Sequence, residues 1–112
     1  DGRPDLFEGK TRPRKAVGHP NIYFDTLVHD TISFEVMLKR QGSTDQILMG
    51  LDDPYPLGEM ESDAQSSYPG KLLDLALEQK LINEQQHQEI WERNVLNWLY
   101  GSDTSAFYNR FK

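Results

Sequence analysis

Two adjacent aspartates, Asp52 and Asp53, directly follow a short apolar run at residues 47–51, and this position could support metal or acid–base chemistry. Nearly every side chain of the run is apolar, which predicts a strand buried on both faces. A carboxylate at the end of such a strand can bind a divalent metal ion or take a proton from coordinated water. The following Pro54 also fits a simple turn, because Asp-Pro pairs commonly begin turns. Spacing alone favours the turn.

The chain has three histidines, and His29 is the one with a candidate chemical role. It ends an aromatic and β-branched segment, residues 22–28, that reads as a strand. A histidine there could act on a substrate or orient a neighbouring group, and a histidine buried only for packing fits equally well. His19 lies in a Gly-His-Pro sequence that predicts a loop. His87 falls on the polar face of a predicted helix, where we expect it to be solvated.

The elements that must position these residues divide the chain into five segments of a single domain. They are a loop (1–20), a strand-helix-strand unit (21–51), a long loop of active-site type (52–69), two helices (70–101) and a tail (102–112). Loops as long as the third segment are usually functional or disordered when they occur inside compact domains. We expect the tail aromatics Phe107, Tyr108 and Phe111 to pack on a neighbouring surface.

Helix signals flank both strands and the long loop. Asp30 is a good N-cap for a helix that carries Ile32, Val36 and Leu38, with Phe34 and Met37 beside them, and that ends at Gly42. A second helix is predicted over 69–80, with Leu72, Leu75 and Ala76 on its apolar face. A third begins at Asn83, with the spacing of a capping box to Gln86, and ends at Gly101. Its predicted buried stripe is Trp91, Val95, Trp98 and Leu99.

Strands that alternate with helices predict an α/β fold with a parallel sheet. Two parallel strands do not form a stable sheet alone, because parallel sheets are normally covered by helices on both faces of a larger sheet. We therefore expect an incomplete piece, corresponding to the C-terminal βα units of a (β/α)8 TIM barrel, a fold that usually needs about 250 residues.

Three segments together resemble the aminocarboxymuconate-semialdehyde decarboxylases of the amidohydrolase superfamily. Residues 47–59 resemble a family motif Gly-Thr-Asp-Tyr-Pro-Phe-Pro-Leu-Gly-Glu at the last strand, with Asp52 on its aspartate. Residues 24–30 are similar to a family Tyr-Thr-Asp-Ala-Leu-Val-His-Asp, and residues 3–6 to a family Arg-Pro-Asp-Leu. Asn94 lies where the superfamily has an Asn-Ala pair in its final helix. The resemblance covers residues 3 to 101.

The resemblance implies a metal-dependent, non-oxidative decarboxylase of an unsaturated or aromatic carboxylic acid. It implies that Asp52 binds a divalent metal such as zinc, and that Tyr55 lines the substrate pocket. It also implies a homodimer in which Arg3 reaches the neighbouring subunit's active site and binds the substrate carboxylate. His29 is the catalytic candidate in this chain.

The chain also departs from the family pattern. Leu51 replaces a threonine, Asp53 an aromatic residue and Thr31 a proline. The family's His-x-His pair, its mid-barrel metal-binding histidine and its His-Gly-Gly-Gly motif have no counterpart in these residues. The chain therefore supplies one ligand of several, and we expect it to be inactive alone and to be completed by the rest of the barrel.

Composition excludes some alternatives and leaves two open. A net charge of −6 argues against a nucleic-acid partner, and the absence of cysteine excludes disulfides and thiolate metal sites. No apolar run approaches the ~20 residues needed to span a bilayer, so we expect no membrane association and a cytoplasmic protein. One alternative is a hydratase or hydrolase of the same superfamily. The other is a non-catalytic, truncated or partner-completed domain.

Overall fold

The computed structural model describes residues 17–28, 30–51, 68–101 and 103–111. Along the chain lie strand β1 (Phe24–Asp25), helix α1 (Thr31–Gln41), strand β2 (Ile47–Leu48), helix α2 (Lys71–Glu78), helix α3 (Glu84–Gln88), a π-helical turn (Glu89–Arg93), helix α4 (Asn94–Tyr100) and helix α5 (Ser105–Asn109). Within these ranges, no helix is long and apolar enough to cross a membrane.

The two strands pair in parallel, as predicted, with Phe24 opposite Ile47 and Asp25 opposite Leu48. Both are shorter than the predicted segments 22–28 and 47–51. β1 ends early because the next amide groups bond locally: Leu27 N donates to Asp25 Oδ1 at 3.0 Å and Val28 N to Thr26 O at 2.8 Å. The described residues contain this strand-helix-strand unit and no further strand, so the barrel stays a prediction.

Helix α1 has the predicted ends. Asp30 is extended and its Oδ1 accepts from Ser33 N at 2.7 Å, while Gly42 closes the helix in the left-handed region at φ 79° and donates to Leu38 O. Of its apolar residues Phe34 is fully buried, whereas Ile32 and Val36 are 72% and 54% exposed.

The core lies between the sheet, α1, α2 and the π-helical turn. Leu72, Leu73 and Ala76 of α2 are buried, and Leu75 is only half-buried. The buried apolar side chains that form the cluster are Phe34, Ile47, Leu72, Leu73, Ala76, Ile82 and Ile90. Burying a large aliphatic or aromatic side chain contributes about 1.5–3 kcal/mol, so this cluster holds the helices to the sheet.

The helical segment formed by α3, the π-helical turn and α4 begins as predicted, but a different face of it is buried. Asn83 and Gln86 form the reciprocal hydrogen bonds of a capping box. The predicted stripe is wrong, however, since Trp91, Trp98 and Leu99 are 39%, 55% and 59% exposed and Val95 is half-buried. Ile90, Asn94 and Leu96 are buried instead.

A polar residue at an inward position explains part of that difference. Asn94 is buried against β2, so a pattern that follows apolar side chains does not mark its face of the helix. The backbone also departs from α-helical geometry just before it, because Asn94 N donates to Glu89 O, five residues back.

The segment predicted as a tail contains α5. Phe107 contacts Tyr100 at a ring-centre distance of 6.1 Å, Tyr108 at 5.4 Å and Phe111 at 5.1 Å. These aromatic residues therefore pack mainly on each other. Tyr108 and Phe111 stay 45% and 75% exposed.

Candidate functional site

The candidate site is the edge of the sheet where both parallel strands end. The side chain of Thr26, just after β1, bridges to the residues that follow β2. Its Oγ1 accepts from Gly50 N at 3.1 Å and lies 3.3 Å from both Gly50 O and Met49 Sδ, to one of which its hydroxyl donates. Thr26 is only 3% exposed, so water competes little for these bonds. The Thr26 side chain thus connects the two chain segments that leave the sheet.

Asp25 and Gly50 make a second close contact at this edge. A Cβ atom on Gly50 would lie 2.8 Å from Asp25 Cβ, closer than real side chains approach. Only glycine therefore lets the two strand ends lie this close with Asp25 present. The Asp25 side chain is exposed and its Oδ1 accepts from Leu27 N. The carboxylate therefore lies next to Gly50, where the chain leaves β2.

The four residues predicted to form the site, Arg3, His29, Asp52 and Tyr55, all lie outside the described residues. Their roles remain predictions. The structure does describe the positions next to two of them. Asp52 follows Leu51, two residues after Gly50, and His29 precedes Asp30, the N-cap of α1. The Thr26–Gly50 contact therefore joins two residues that come shortly before His29 and Asp52 in the sequence.

Helix α4 and the π-helical turn support β2 from the side opposite to β1. Asn94 is 3% exposed, and its Nδ2 donates to Thr44 O at 2.7 Å and to Ile47 O at 2.8 Å. The wide turn leaves Ile90 O available, and it accepts from Met49 N at 3.1 Å. These three bonds fix β2 and the residues that lead to Asp52. Apolar periodicity does not predict this role of Asn94, although an amide between apolar positions of a helix is a usable signal.

A second polar cluster lies away from the sheet edge and corrects the prediction for His87. His87 Nε2 is 2.8 Å from Asp74 Oδ1, and Tyr68 Oη donates to Asp74 Oδ2 at 2.8 Å. The His87 side chain is 21% exposed, so it is not freely solvated. Hydrogen bonds from His87, and secondarily from Tyr68, hold the pKa of Asp74 below its ordinary value. The capping box at Asn83 sets the first turn of α3 so that His87 meets α2.

The described residues do not complete a metal site. They contain no group of three or more His, Asp or Glu side chains that could hold a metal ion. A catalytic zinc site needs about three protein ligands. At the sheet edge the described part of the chain offers the Asp25 carboxylate, and the prediction adds Asp52 and His29. This donor set is incomplete, so a metal would need further ligands from outside these residues.

Comparison with known proteins found a partial similarity. Over 61 residues the chain is 41% identical to a protein of Caenorhabditis elegans named 2-amino-3-carboxymuconate-6-semialdehyde decarboxylase. The match covers 53% of this chain and only 14% of the relative's length. No family model matches the chain, and no solved structure matches it. The similarity therefore supports a relationship to decarboxylases of this type across part of the chain.

Proposed function

We propose that the intact protein is a metal-dependent, non-oxidative decarboxylase of an unsaturated or aromatic carboxylic acid, and that this chain supplies part of its active site. The supporting observation is the joined exit of the two parallel strands, where Thr26 bonds to Gly50 just before the segment that carries Asp52. Active sites of parallel α/β proteins lie at this end of the strands. The partial similarity to a decarboxylase adds to that argument.

In this proposal Asp52 is one metal ligand, and the remaining ligands come from elsewhere in the intact protein. A bound divalent metal would supply Lewis-acid chemistry at the sheet edge. The contribution of this chain is positional, because the Thr26, Asp25 and Gly50 contacts fix where the Asp52 segment begins. Tyr55 would border the substrate, and His29 would contact the substrate or orient a group that does. Arg3 would bind the substrate carboxylate of the neighbouring subunit in a homodimer, since a guanidinium pairs with a carboxylate in a bidentate manner.

The metal role is tested with Asp52→Asn in the intact protein. A neutral amide is a poorer ligand than a carboxylate, so bound zinc and carbon dioxide release should fall together. Asp53→Asn is the matched control and should change both much less. Unchanged zinc content in Asp52→Asn, or equal losses in the two variants, would contradict the assignment of Asp52.

The same assays test the subunit arrangement in a mixed dimer of one Arg3→Ala subunit and one Asp52→Ala subunit. If Arg3 acts in trans, one of the two sites carries both defects and the other carries neither, so activity persists. If Arg3 acts within its own subunit, each site carries one defect and the mixed dimer is nearly inactive. Metal content in the pure Arg3→Ala dimer should equal that of the unmodified protein.

A further inference from the structure

A cleft of about 660 Å³ lies at the opposite end of the sheet from the candidate site. Its walls come from the segment entering β1, from α4 with the preceding turn, and from the α5 region. The side chains that define it are Tyr23, Arg93, Leu96, Asn97, Thr104 and Tyr108. Tyr23 directly precedes β1, whereas Asp25 ends β1 and Gly50 follows β2, so the cleft and the proposed active site are separate. Its volume lies in the range of small-molecule sites.

The aromatic walls of the cleft are held in place by contacts of their own. The Tyr23 ring packs against Trp98 with ring centres 6.3 Å apart. Tyr108 packs edge-on against Phe107, and its hydroxyl donates to Glu92 Oε1 at 2.8 Å. That hydrogen bond chiefly raises the pKa of Tyr108 above its ordinary value, and Arg93 acts on it in the opposite sense. The contact with Phe107 and the hydrogen bond to Glu92 together position the Tyr108 ring at the wall of the cleft.

The polar groups of the cleft favour an anion. Arg93 is exposed and brings a permanent positive charge with a planar set of donors. Asn97 adds an amide, and Thr104 adds a hydroxyl. The Glu92 carboxylate accepts from Tyr108 and is not among the lining residues.

We propose that this cleft is a second ligand site, which binds a small aromatic carboxylate through Arg93 and Asn97 with the ring between Tyr23, Leu96 and Tyr108. Arginine accounts for the carboxylate, because its guanidinium pairs with both oxygens. The tyrosine rings and the leucine account for a flat apolar body, since aromatic faces pack well on one another. The site does not depend on a metal or on Asp52.

The proposal is tested by titrating the full chain with benzoate, using calorimetry and NMR shifts of the Trp98 indole. Benzoate should bind saturably, and the neutral benzamide should bind at least about tenfold more weakly because it lacks the charge-assisted pair. Arg93→Gln should weaken benzoate binding by about tenfold or more, and Arg93→Lys by less. Arg40→Gln, a change of an exposed arginine on α1, is the matched control and should leave binding unchanged.

Three results would overturn the proposal: no saturable binding, equal binding of benzamide, or equal binding to the Arg93→Gln variant with its fold intact by circular dichroism. Inorganic phosphate binding as tightly as benzoate would also overturn it, because the aromatic walls would then contribute nothing. Repeating the titration with Asp52→Asn separates the two proposals. Benzoate binding at the cleft should persist there, whatever that variant does to metal content and activity.

Discussion

At the scale of single residues, the buried side-chain amide of Asn94 connects α4 to β2. Replacing it with alanine would leave Ile47 O without its donor, and Thr44 O would keep only its bond from Ile47 N. Unsatisfied buried carbonyl groups cost about 1–3 kcal/mol, so Asn94→Ala should lower the free energy of unfolding by that amount. Urea unfolding followed by tryptophan fluorescence measures it. Asn97→Ala, an exposed change on the same helix, should cost less than about 0.5 kcal/mol, and equal losses in the two variants would argue against the anchoring role.

The Asp74 cluster gives a pH dependence whose direction follows from its lowered pKa. A carboxylate with a depressed folded pKa contributes stability that is fully present above its ordinary value, 3.8, and is lost as pH falls through the folded pKa. The Asp74 side chain is 47% exposed, so solvent screening limits the contribution to about 1 kcal/mol or less.

Unfolding measured from pH 7 to pH 2 tests this expectation. The stability difference between the unmodified chain and Asp74→Asn should be present at pH 6 and should shrink below pH 3.8. Tyr68→Phe removes one of the two hydrogen bonds to Asp74 and should give a smaller loss. A difference that stays constant over the whole range would show that ionisation of Asp74 does not matter.

At the residue scale, helix caps could be predicted from the sequence, whereas hydrogen bonds between residues far apart in the chain could not. Asp30, Gly42 and Asn83 were assigned correctly because a cap depends on neighbours within four residues. The partners of Asn94 and His87 lie 47 or more and 13 residues away, and no local pattern specifies them. Thr26 is a further example, since its hydroxyl is satisfied by a residue 24 positions later.

At the scale of elements, the contact between Gly50 and Asp25 determines how closely the ends of β1 and β2 can approach each other. Gly50→Ala would place a methyl group 2.8 Å from Asp25 Cβ, which forces the strand ends apart. Overpacking of this kind costs about 1–3 kcal/mol. We expect the loss in free energy of unfolding to be smaller when Asp25→Gly is also present, because the clashing atom is then gone.

A double-mutant cycle of Gly50→Ala and Asp25→Gly measures that coupling. Changes that do not interact add within about 0.3–0.5 kcal/mol, so a larger deviation in the relieving direction supports the steric explanation. Strictly additive losses would mean that Gly50 matters for another reason. In the intact protein, Gly50→Ala should also lower zinc content if Asp52 binds the metal and the strand ends position it.

The order of elements was predictable, and their inward faces were less so. Strand, helix, strand and two helices follow from apolar runs, caps and glycine stops, and the parallel pairing follows from the helix between the strands. An inward position of the last helical segment is held by the polar Asn94, so apolar periodicity wrongly predicted that Trp91 and Trp98 lie in the core. Strand lengths were overestimated because Asp25 diverts the backbone amide of Leu27.

At the scale of the whole molecule, the two edges of the sheet differ. On the outer side of β2, Met49 N donates to Ile90 O and Ile47 O accepts from Asn94, so the helix occupies that edge. In a closed barrel each strand pairs on both edges. If the intact protein is a barrel, another strand must pair with the outer edge of β2. The Met49 N–H would then donate to a carbonyl of that strand instead of to Ile90 O.

The surface of the described part of the chain also indicates that it needs a partner surface. Trp98, Leu99, Ile32, Val36 and Phe111 are each more than half exposed. Burying such side chains contributes about 25 cal/mol per Å², which amounts to several kcal/mol for a group of this size. Left in water, exposed apolar patches favour association. A larger barrel or a second copy of the chain would cover them.

Residues 1–112 expressed alone should therefore form an oligomer and should show no decarboxylase activity. The parallel strands are only two residues long each, and among the described residues no strand pairs with the other side of β1, which gives a further surface for pairing. Sedimentation velocity at several concentrations measures the assembly, and Trp98→Gln with Leu99→Gln should shift it toward smaller species. Gln85→Ala, an exposed change on α3, is the control and should not. A compact monomer that unfolds cooperatively would show instead that these residues are a self-sufficient domain, and the barrel-fragment interpretation would then be wrong.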